Sequence, residues 1–440
     1  MNTLLTKRLF SLGKNPKKLS LGILIFGVPV FFLTYLVSLQ PLGRLALSPE
    51  RCHVKKWNLP QTTAKKTQPT STGSAVLVLR PWVTCCENDT SCFDHQIWGE
   101  DETIADQKAL INSINQSLKY LKTPKAEADY RNYPVTGITR NNVIQSLIRF
   151  RELLQTSKSA RQLNDAVRRE FLIYQSIGGD KQGGVLFTSY YEPIYEASRV
   201  PTSEYRYPIY RVPPDLKSWK KPHPTRLDLE GADGLQASKS KLKGLEFFWF
   251  RDRLEPYMMQ IQGSAKIKLA DGSETHVGYA GSIAQNYKSI GKSLADDGKV
   301  PLEGMTMPKI LDYFRKYPQE LSIYIPKDPS FVFFQENYGV TATGSTSVPI
   351  TADRSIATDK ALMPPGALAL IRAHLPFPNS QGTMEHRIVS RYVLDQDAGG
   401  AIKGAGRVDY FTGTGKVAGE RAGVTVGRGQ LFYLLLKPKS

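Results

Sequence analysis

The sequence predicts a mainly β protein with a helical segment near its N-terminus. Between residues 101 and 177, apolar residues recur at three- and four-residue steps, the period of an amphipathic helix. After Gly178 and Gly179 the pattern changes to short β-branched and aromatic runs separated by glycine and proline. Many short strands with such turns favour barrels over a parallel doubly wound sheet.

The helical stripes are formed by Ile104, Leu110, Ile111, Ile114 and Leu118, then Val143, Leu147, Phe150, Leu153 and Leu154, then Leu163, Val167, Phe171 and Leu172. Further helices are predicted over residues 284–297, ending at Gly298, and 307–317, ending at Pro318. Strands are predicted at 76–83, 185–193, 206–212, 245–251, 258–263, 265–270 and 275–280. From residue 330 to 436, short strands are expected again.

Length and charge limit the classes of function. A chain of 440 residues can form about two to three domains with self-sufficient cores. Its 58 Lys and Arg against 40 Asp and Glu give a net charge of +18. No nucleic-acid-binding module is recognisable, so we predict no nucleic-acid partner. An anionic membrane or cell-wall polymer suits the charge at least as well.

The N-terminal 75 residues read as a membrane-targeting region. Residues 1–20 are basic and are expected to stay in the cytoplasm. Residues 21–39 carry no charge, and this length is close to the roughly 20 residues that span a bilayer. A cleaved signal peptide is the alternative, but its apolar core is usually shorter, so we favour an uncleaved anchor. Residues 40–75 are polar and proline-containing, which predicts a flexible tether.

The sequence gives no sign of a metal or cofactor. The four cysteines have neither CxxC spacing nor a histidine pair nearby, so we expect structural disulfides with three pairings open. These cysteines are Cys52, Cys85, Cys86 and Cys92. The histidines lack HxxxH or HxH spacing, and GTGKVAG lacks the GK[ST] of a phosphate loop.

The stretch most suggestive of chemistry is residues 394–415, LDQDAGGAIKGAGRVDYFTGTG. It places Asp395, Asp397 and Asp409 at or beside strand ends, around Gly399 and Gly400. Glycines allow close backbone approach and positive φ, so a carboxylate at such a turn can face a groove. A lone Asp-Gly turn would carry no functional meaning.

Other blocks accompany this stretch in a fixed order. They are FTSYYEP at 187–193, YPIYRVP at 207–213, MQIQGSAKIKLADG at 259–272, DPSFVFF at 328–334 and ATDK at 357–360. Together they resemble the membrane-bound lytic murein transglycosylase A family over residues 185–438. The family's C-terminal 3D region is named for three aspartates, which match Asp359, Asp397 and Asp409. Ser189 and Ala398 depart from the usual Gly and Thr, but neither change removes a carboxylate.

The resemblance implies a fold and an assignment of domains. It implies a double-psi β-barrel domain assembled from residues 76–195, with their helical part, and residues 325–440. A smaller β-barrel domain would be inserted at residues 196–324. The groove between the two domains would hold the polysaccharide, as ligand sites commonly lie at domain interfaces.

The resemblance also implies a reaction. Members cleave the β-1,4 bond between N-acetylmuramic acid and N-acetylglucosamine without water and leave 1,6-anhydro ends. Asp397 would be the single acid and base, while Asp359 and Asp409 would supply negative charge or orient strands. Asp395 is taken as one step out of register and facing the opposite side. The remaining predicted substrate contacts are Tyr190, Tyr191, Gln262, Gly263, Ser264, Gly399, Gly400 and Lys403; for Lys403 a solvated role is the alternative.

Two other functions stay open at this stage. A hydrolase on the same polymer would need a second carboxylate, for which Glu192 or Asp359 is available. A wall-binding protein would keep the fold without chemistry. For the transglycosylase we expect a membrane-anchored enzyme in the cell envelope, acting on the periplasmic side, with peptidoglycan and cell-wall synthesis or division proteins as partners.

Overall fold

The computed structural model describes residues 76–82, 93–100 and 104–438. The predicted anchor, the tether and all four cysteines lie outside these residues. No helix within the described part of the chain is long and apolar enough to cross a bilayer.

The described residues contain ten α-helices, five short 3-10 helices and fourteen strands. The helices are α1 Gln107–Leu121, α2 Pro124–Arg131, α3 Arg140–Thr156, α4 Ala160–Glu170, α5 Arg226–Glu230, α6 Leu254–Gln262, α7 Ile290–Asp296, α8 Met307–Lys316, α9 Leu321–Tyr324 and α10 Lys416–Val424. The strands are β1 Leu77–Arg80, β2 Phe171–Ser176, β3 Val185–Glu192, β4 Ile194–Ala197, β5 Tyr207–Tyr210, β6 Glu246–Phe250, β7 Ser264–Leu269, β8 Glu274–Ser282, β9 Val332–Glu336, β10 Ser355–Ala357, β11 Leu368–Pro378, β12 Met384–Asp397, β13 Arg407–Thr414 and β14 Val426–Leu436.

Six strands close into a β-barrel. Their order is β14-β11-β12-β10-β13-β3, and β3 pairs back onto β14 to complete the ring. Most neighbours are antiparallel, but β10–β12 and β13–β3 are parallel. Strands β2 and β1 extend the sheet from β14. The barrel is therefore assembled from residues on both sides of a long intervening segment.

That intervening segment forms a separate sheet, ordered β4-β7-β8-β9, and a short β5-β6 pair. Its own apolar cluster includes Phe248, Met259, Ile267, Val277 and Phe334. The chain leaves the barrel at the end of β3 and returns to it after β9. This part of the chain thus has a core of its own.

Helices α1 and α3 pack on the barrel and share its main core. Leu110 and Ile114 from α1 and Phe150 from α3 are buried with Leu394 of β12 and Tyr433 of β14. These helices begin and end within the segment of helical apolar period. Their inner faces therefore form the wall behind strand β12.

Four local predictions are corrected by the structure. Phe171 and Leu172 belong to strand β2, because they pair with Leu436 and Leu435 of β14. Residues 258–263 were predicted as a strand but form the last turns of α6. The helix predicted from 284 begins only at Ile290, where Ser289 caps it. Helix α10 interrupts the strands expected up to residue 436.

Candidate active site

A β-bulge in strand β12 determines where Asp397 points. Strand β10 pairs Ile356 with Asp395 and Ala357 with Asp397, so Gln396 is an extra residue with no partner. Such a bulge re-aims the side chains beyond it. Asp395 is fully buried, whereas Asp397 is only half-buried.

Asp395 and Asp397 face different sides, as predicted, but the reason is different. Residues two apart in a regular strand point to the same side, so alternation alone would have placed Asp395 and Asp397 together. The bulge breaks that rule. Asp395 accepts a hydrogen bond from the Tyr433 hydroxyl at 2.6 Å and pairs with Lys360 inside the protein.

Asp397 is held by three hydrogen bonds. The Tyr190 hydroxyl donates to Oδ2 at 2.7 Å, and the backbone N–H groups of Ser345 and Ala398 donate to Oδ1, each at 2.8 Å. Burial raises the pKa of the Asp397 carboxyl above its ordinary value, although these hydrogen bonds and the Lys360 charge act in the opposite direction. The carboxyl group is therefore oriented and can keep its proton at higher pH than an exposed aspartate.

Asp409 lies in the same row of residues across the barrel wall. Asp397 pairs with Ala357, which pairs with Asp409, which in turn pairs with Thr188. Two strand spacings separate the α-carbons of the two aspartates by about 10 Å. Ala357, which lies between them in this row, carries only a methyl group.

The pKa of Asp409 is raised from 3.8 to about 6. Burial is the main cause, and the Asp397 charge adds to it. A hydrogen bond from Thr188 Oγ1 at 2.7 Å and the Arg407 charge lower the pKa but do not cancel the effect. The raised pKa of Asp409 is therefore mainly an effect of burial, with a smaller contribution from the Asp397 charge.

Asp409→Asn should change the pH dependence of stability. A carboxyl group whose pKa is higher in the folded chain favours folding while protonated, and this contribution is lost as pH rises from 3.8 through about 6. The free energy of unfolding of Asp409→Asn, relative to the parent, should therefore rise over that interval by at most about 3 kcal/mol. Denaturant titrations at pH 4, 5, 6 and 7 measure it; a difference that stays flat or falls would contradict the raised pKa of Asp409.

Asp359 does not join this pair. Its carboxylate accepts hydrogen bonds from the backbone N–H groups of Gly404 at 2.9 Å and Ala361 at 3.2 Å. It thus fastens the turn after β10 to the loop before β13. Of the two roles expected from sequence, these contacts favour the orientation of strands.

The two tyrosines of the TSYYEP block have different surroundings. Tyr190 is buried against Phe411, with ring centroids 5.2 Å apart, so it presents no open face to a sugar. Tyr191 is half-buried, and its backbone N–H donates to Gln262 Oε1 at 3.0 Å. Its ring lies on Gly419 of α10, where an added Cβ would come within 2.7 Å of it. Tyr190 therefore positions Asp397, and Tyr191 joins β3 to α6.

Gln262, Gly263 and Ser264 form the junction between α6 and β7. Gly263 ends the helix with φ of 82°, a conformation that favours glycine. Ser264 is buried and pairs with Gly278 of β8. The Gln262 side chain is the one that reaches back to the strand carrying Tyr190.

The loop after Asp397 contains Gly399, Gly400 and Lys403. Neither Gly399 nor Gly400 uses the positive φ that glycine allows, but a Cβ added to Gly399 would lie 2.9 Å from Ile402 Cγ1; Gly404 has positive φ, at 81°. A Cβ added to Gly400 would meet no atom within 4 Å. Lys403 is exposed. The loop beside Asp397 is therefore open on this side.

Sequence reasoning missed the loop that faces the bulge. Gly344 approaches so closely that an added Cβ would lie 2.4 Å from the Gln396 carbonyl oxygen. Ser345 binds Asp397 through its backbone, and Thr346 Oγ1 donates to the Gln396 carbonyl at 2.7 Å. In the sequence, TATGSTS predicts only a turn. Because the key donor is a main-chain N–H, no side-chain pattern could identify it.

Glu192 is committed to another set of contacts. Its fully buried carboxylate lies 2.8 Å from His276 Nδ1 and accepts from Thr414 Oγ1 at 2.7 Å. It thus joins the end of β3 to β13 and to β8 of the separate sheet. No hydrogen bond of Glu192 in the described structure leads to Asp397.

Comparison with known proteins gives family matches on both parts of the chain. The MltA specific insert domain matches residues 186–335, and the 3D domain matches residues 354–435. The membrane-bound lytic murein transglycosylase A of Escherichia coli K12 is 33% identical over 267 residues, covering 60% of this chain and 69% of that protein. The Vibrio cholerae protein of the same name is 34% identical over 264 residues, covering 59% and 68%.

Solved structures agree with these matches. A membrane-bound lytic murein transglycosylase from Agrobacterium tumefaciens has a TM-score of 0.61 at 26% identity, covering 77% of this chain and 94% of that one. E. coli MltA with bound chitohexaose has a TM-score of 0.62 at 26% identity, covering 84% and 98%. On the identity and coverage of these relatives, the chain belongs to the membrane-bound lytic murein transglycosylase A family.

Proposed function

We propose that Asp397 is the single acid and base with which this chain, a peptidoglycan lytic transglycosylase, cleaves glycan strands. The observation that carries the proposal is the bulge that turns Asp397 away from the core. The carboxyl group is held by three donors and has a raised pKa. A group that must give up a proton and later take one back requires a pKa close to the working pH.

The reaction needs one proton transfer in each direction. Cleavage of the β-1,4 bond between N-acetylmuramic acid and N-acetylglucosamine passes through an oxocarbenium-like state, and the leaving oxygen must be protonated. Protonated Asp397 supplies that proton. The resulting Asp397 carboxylate then takes the proton of the C6 hydroxyl while the C6 oxygen forms a bond to C1. The product is a 1,6-anhydro ring, Asp397 is protonated again, and no water is consumed.

Asp409 acts through its charge in this scheme. Like charges disfavour each other's ionised forms, so an ionised Asp409 keeps Asp397 protonated to higher pH. A hydrolase would instead need a second carboxylate that directs water. Glu192 is engaged by His276 and Thr414, and Asp359 by backbone N–H groups, which argues against either in that role.

Tyr190→Phe should shift the pH profile of activity upward. The Tyr190 hydrogen bond stabilises the ionised carboxylate and lowers the pKa of Asp397. Phenylalanine keeps the ring packing on Phe411 but loses that donor. The alkaline limb of kcat against pH should therefore move to higher pH. A downward shift would contradict the assigned role of the tyrosine.

The glycan strand is proposed to run past Asp397 between the barrel and the separate sheet. The residues placed along it are Tyr191, Gln262, Gly263, Ser264, Gly399, Gly400 and Lys403. The openness of the loop at Gly400 and the exposure of Lys403 support this path. The E. coli relative with bound chitohexaose supports an extended amino-sugar chain as ligand.

The finer description of fold and location is also proposed. We assign the closed barrel as a double-psi β-barrel formed by residues 76–195 and 325–440, with residues 196–324 as the inserted β-barrel domain. The protein is a membrane-associated envelope enzyme, as are the relatives named membrane-bound. We place its catalytic part on the periplasmic side of an anchor at residues 21–39, where cell-wall synthesis or division proteins could meet it.

Mass spectrometry of muropeptides released from purified sacculi tests the function. The proposal predicts glycan ends lighter by one water than hydrolytic ends. Reducing ends would show a hydrolase and require a second carboxylate. Retention on sacculi without release would show a wall-binding protein.

A further inference from the structure

Gln396, the extra residue of the bulge, sends its side chain into the core and uses its whole hydrogen-bonding capacity there. Oε1 accepts from the hydroxyls of Ser355 at 2.6 Å and Ser113 at 3.0 Å. Nε2 donates to the Ser113 carbonyl at 2.8 Å and to Ser117 Oγ at 3.0 Å. A side-chain amide has two donors and two acceptor sites, so every one is satisfied.

The orientation of this amide is determined by one main-chain group. The Ser113 carbonyl can only accept, so it must face the NH₂ end of the Gln396 side chain. The reversed amide would bring two acceptor oxygens together in a site without solvent. The contacts therefore fix both the position and the direction of the side chain.

The main chain of Gln396 connects to the active site. Its carbonyl accepts from Thr346 twice, from Oγ1 at 2.7 Å and from the backbone N–H at 3.3 Å. The residue before Thr346 is Ser345, whose N–H donates to Asp397. The side chain of Gln396 thus holds the bulge against the core, and its main-chain carbonyl holds the loop that carries the Ser345 donor.

We propose that Gln396 is a positioning residue that sets the direction of Asp397 from helix α1. Ser113 and Ser117 lie on α1, behind strand β12, and hold the amide in place. Asp397 follows Gln396 directly, so rotation of the bulge would carry its carboxyl group away from Tyr190 and Ser345. This inference rests on the proposed catalytic role of Asp397.

Gln396→Met tests the inference in the full chain. Methionine has similar length and an unbranched stem, but it makes none of the four hydrogen bonds. Because misplacement of a catalytic group by about 1 Å costs on the order of 100-fold in rate, kcat should fall by about 10- to 100-fold. KM should change little, because Gln396 lies in the core and does not face the groove.

The pH profile separates positioning from general stability. Rotation would reduce the burial that raises the pKa of Asp397 and would also weaken the Tyr190 and Ser345 hydrogen bonds that lower it. Because burial is the larger cause, the alkaline limb of kcat should move to lower pH. Tyr190, Lys360 and Asp409, the titratable groups facing Asp397, are unchanged in this variant. Ser117→Ala removes one acceptor on α1 and should shift kcat and the limb in the same direction by less.

Gln107→Met is the matched control. Gln107 is also on α1, and its side-chain amide donates to the Leu154 carbonyl at 2.9 Å, a hydrogen bond that does not involve the bulge. This variant should lose stability without a change in kcat per folded molecule or in the pH limb.

The outcomes separate cleanly. If the parent chain releases anhydro ends and both Gln396→Met and Ser117→Ala keep its kcat and pH limb, the positioning role is wrong. If the parent chain releases none, the proposed function itself fails. Should Gln396→Met not fold, Ser117→Ala decides, because it keeps three of the four hydrogen bonds.

Discussion

Asp397→Asn is expected to fold normally and to lose nearly all glycan-cleaving activity. Asparagine has the same shape: its Oδ1 can still accept from the two backbone N–H groups, and its NH₂ can donate to the Tyr190 hydroxyl. It can neither donate a proton to the leaving oxygen nor remove one from the C6 hydroxyl. Since general acid–base catalysis contributes about 10²- to 10⁴-fold, kcat should fall by at least that factor. The rate of anhydro-muropeptide release from sacculi, with thermal unfolding as a check of folding, measures it.

The same substitution at the neighbouring carboxylate is the control. Asp409→Asn should retain activity within about tenfold, because that group acts only through its charge. The alkaline limb of its kcat against pH should lie at lower pH than that of the parent. Comparable losses in both variants would show two essential carboxylates and favour a hydrolytic mechanism.

Arg354→Met is expected to cause the largest loss of stability. Arg354 is completely buried, pairs with Asp94 and Asp106, and donates to the Tyr392 carbonyl at 2.9 Å. Removing the guanidinium leaves Asp94 buried without its main countercharge. Breaking a buried ion pair in this way costs about 3–5 kcal/mol. Denaturant unfolding of the full chain measures the loss.

An exposed ion pair is the control for the loss of stability expected at Arg354. Arg315 and Asp312 form an ion pair at 2.6 Å, but both side chains are more than two-thirds exposed. Arg315→Met should cost less than about 1 kcal/mol, since solvent screens such pairs. Equal costs at the two positions would mean that Arg354 does not hold Asp94 and Asp106 to the barrel.

The apolar period located α1 and α3 because those helices bury one face and expose the other. It failed at Phe171 and Leu172, where pairing with β14, more than 250 residues away, overrides the local pattern. It failed again at residues 258–263, whose apolar run fits a strand or a buried helix equally well. Barrel closure depends on such distant pairings and is not visible in any local window.

The candidate site, like the fold, could be predicted from the sequence only in part. Asp397 was predicted as the acid and base from the resemblance of its block to the family, because a carboxylate between a strand and glycines alone is also typical of an ordinary turn. The direction of its side chain could not be predicted, since it depends on a bulge that an internal amide holds. Tyr190 was predicted to contact sugar, but its burial against Phe411 makes it a partner of the carboxylate. Ser345 acts through its backbone and leaves no signature.

The claim that one carboxyl group performs both proton transfers can be measured directly with an aryl glycoside of an N-acetylmuramic acid-ended oligosaccharide. A phenol of low pKa leaves without protonation, so the acid step is bypassed while the base step remains. Asp397→Asn should still cleave this substrate at least about 100-fold more slowly than the parent chain, because nothing removes the C6 proton. Cleavage at the parent rate, with the anhydro ring formed, would show that another group is the base and would contradict the single-residue mechanism.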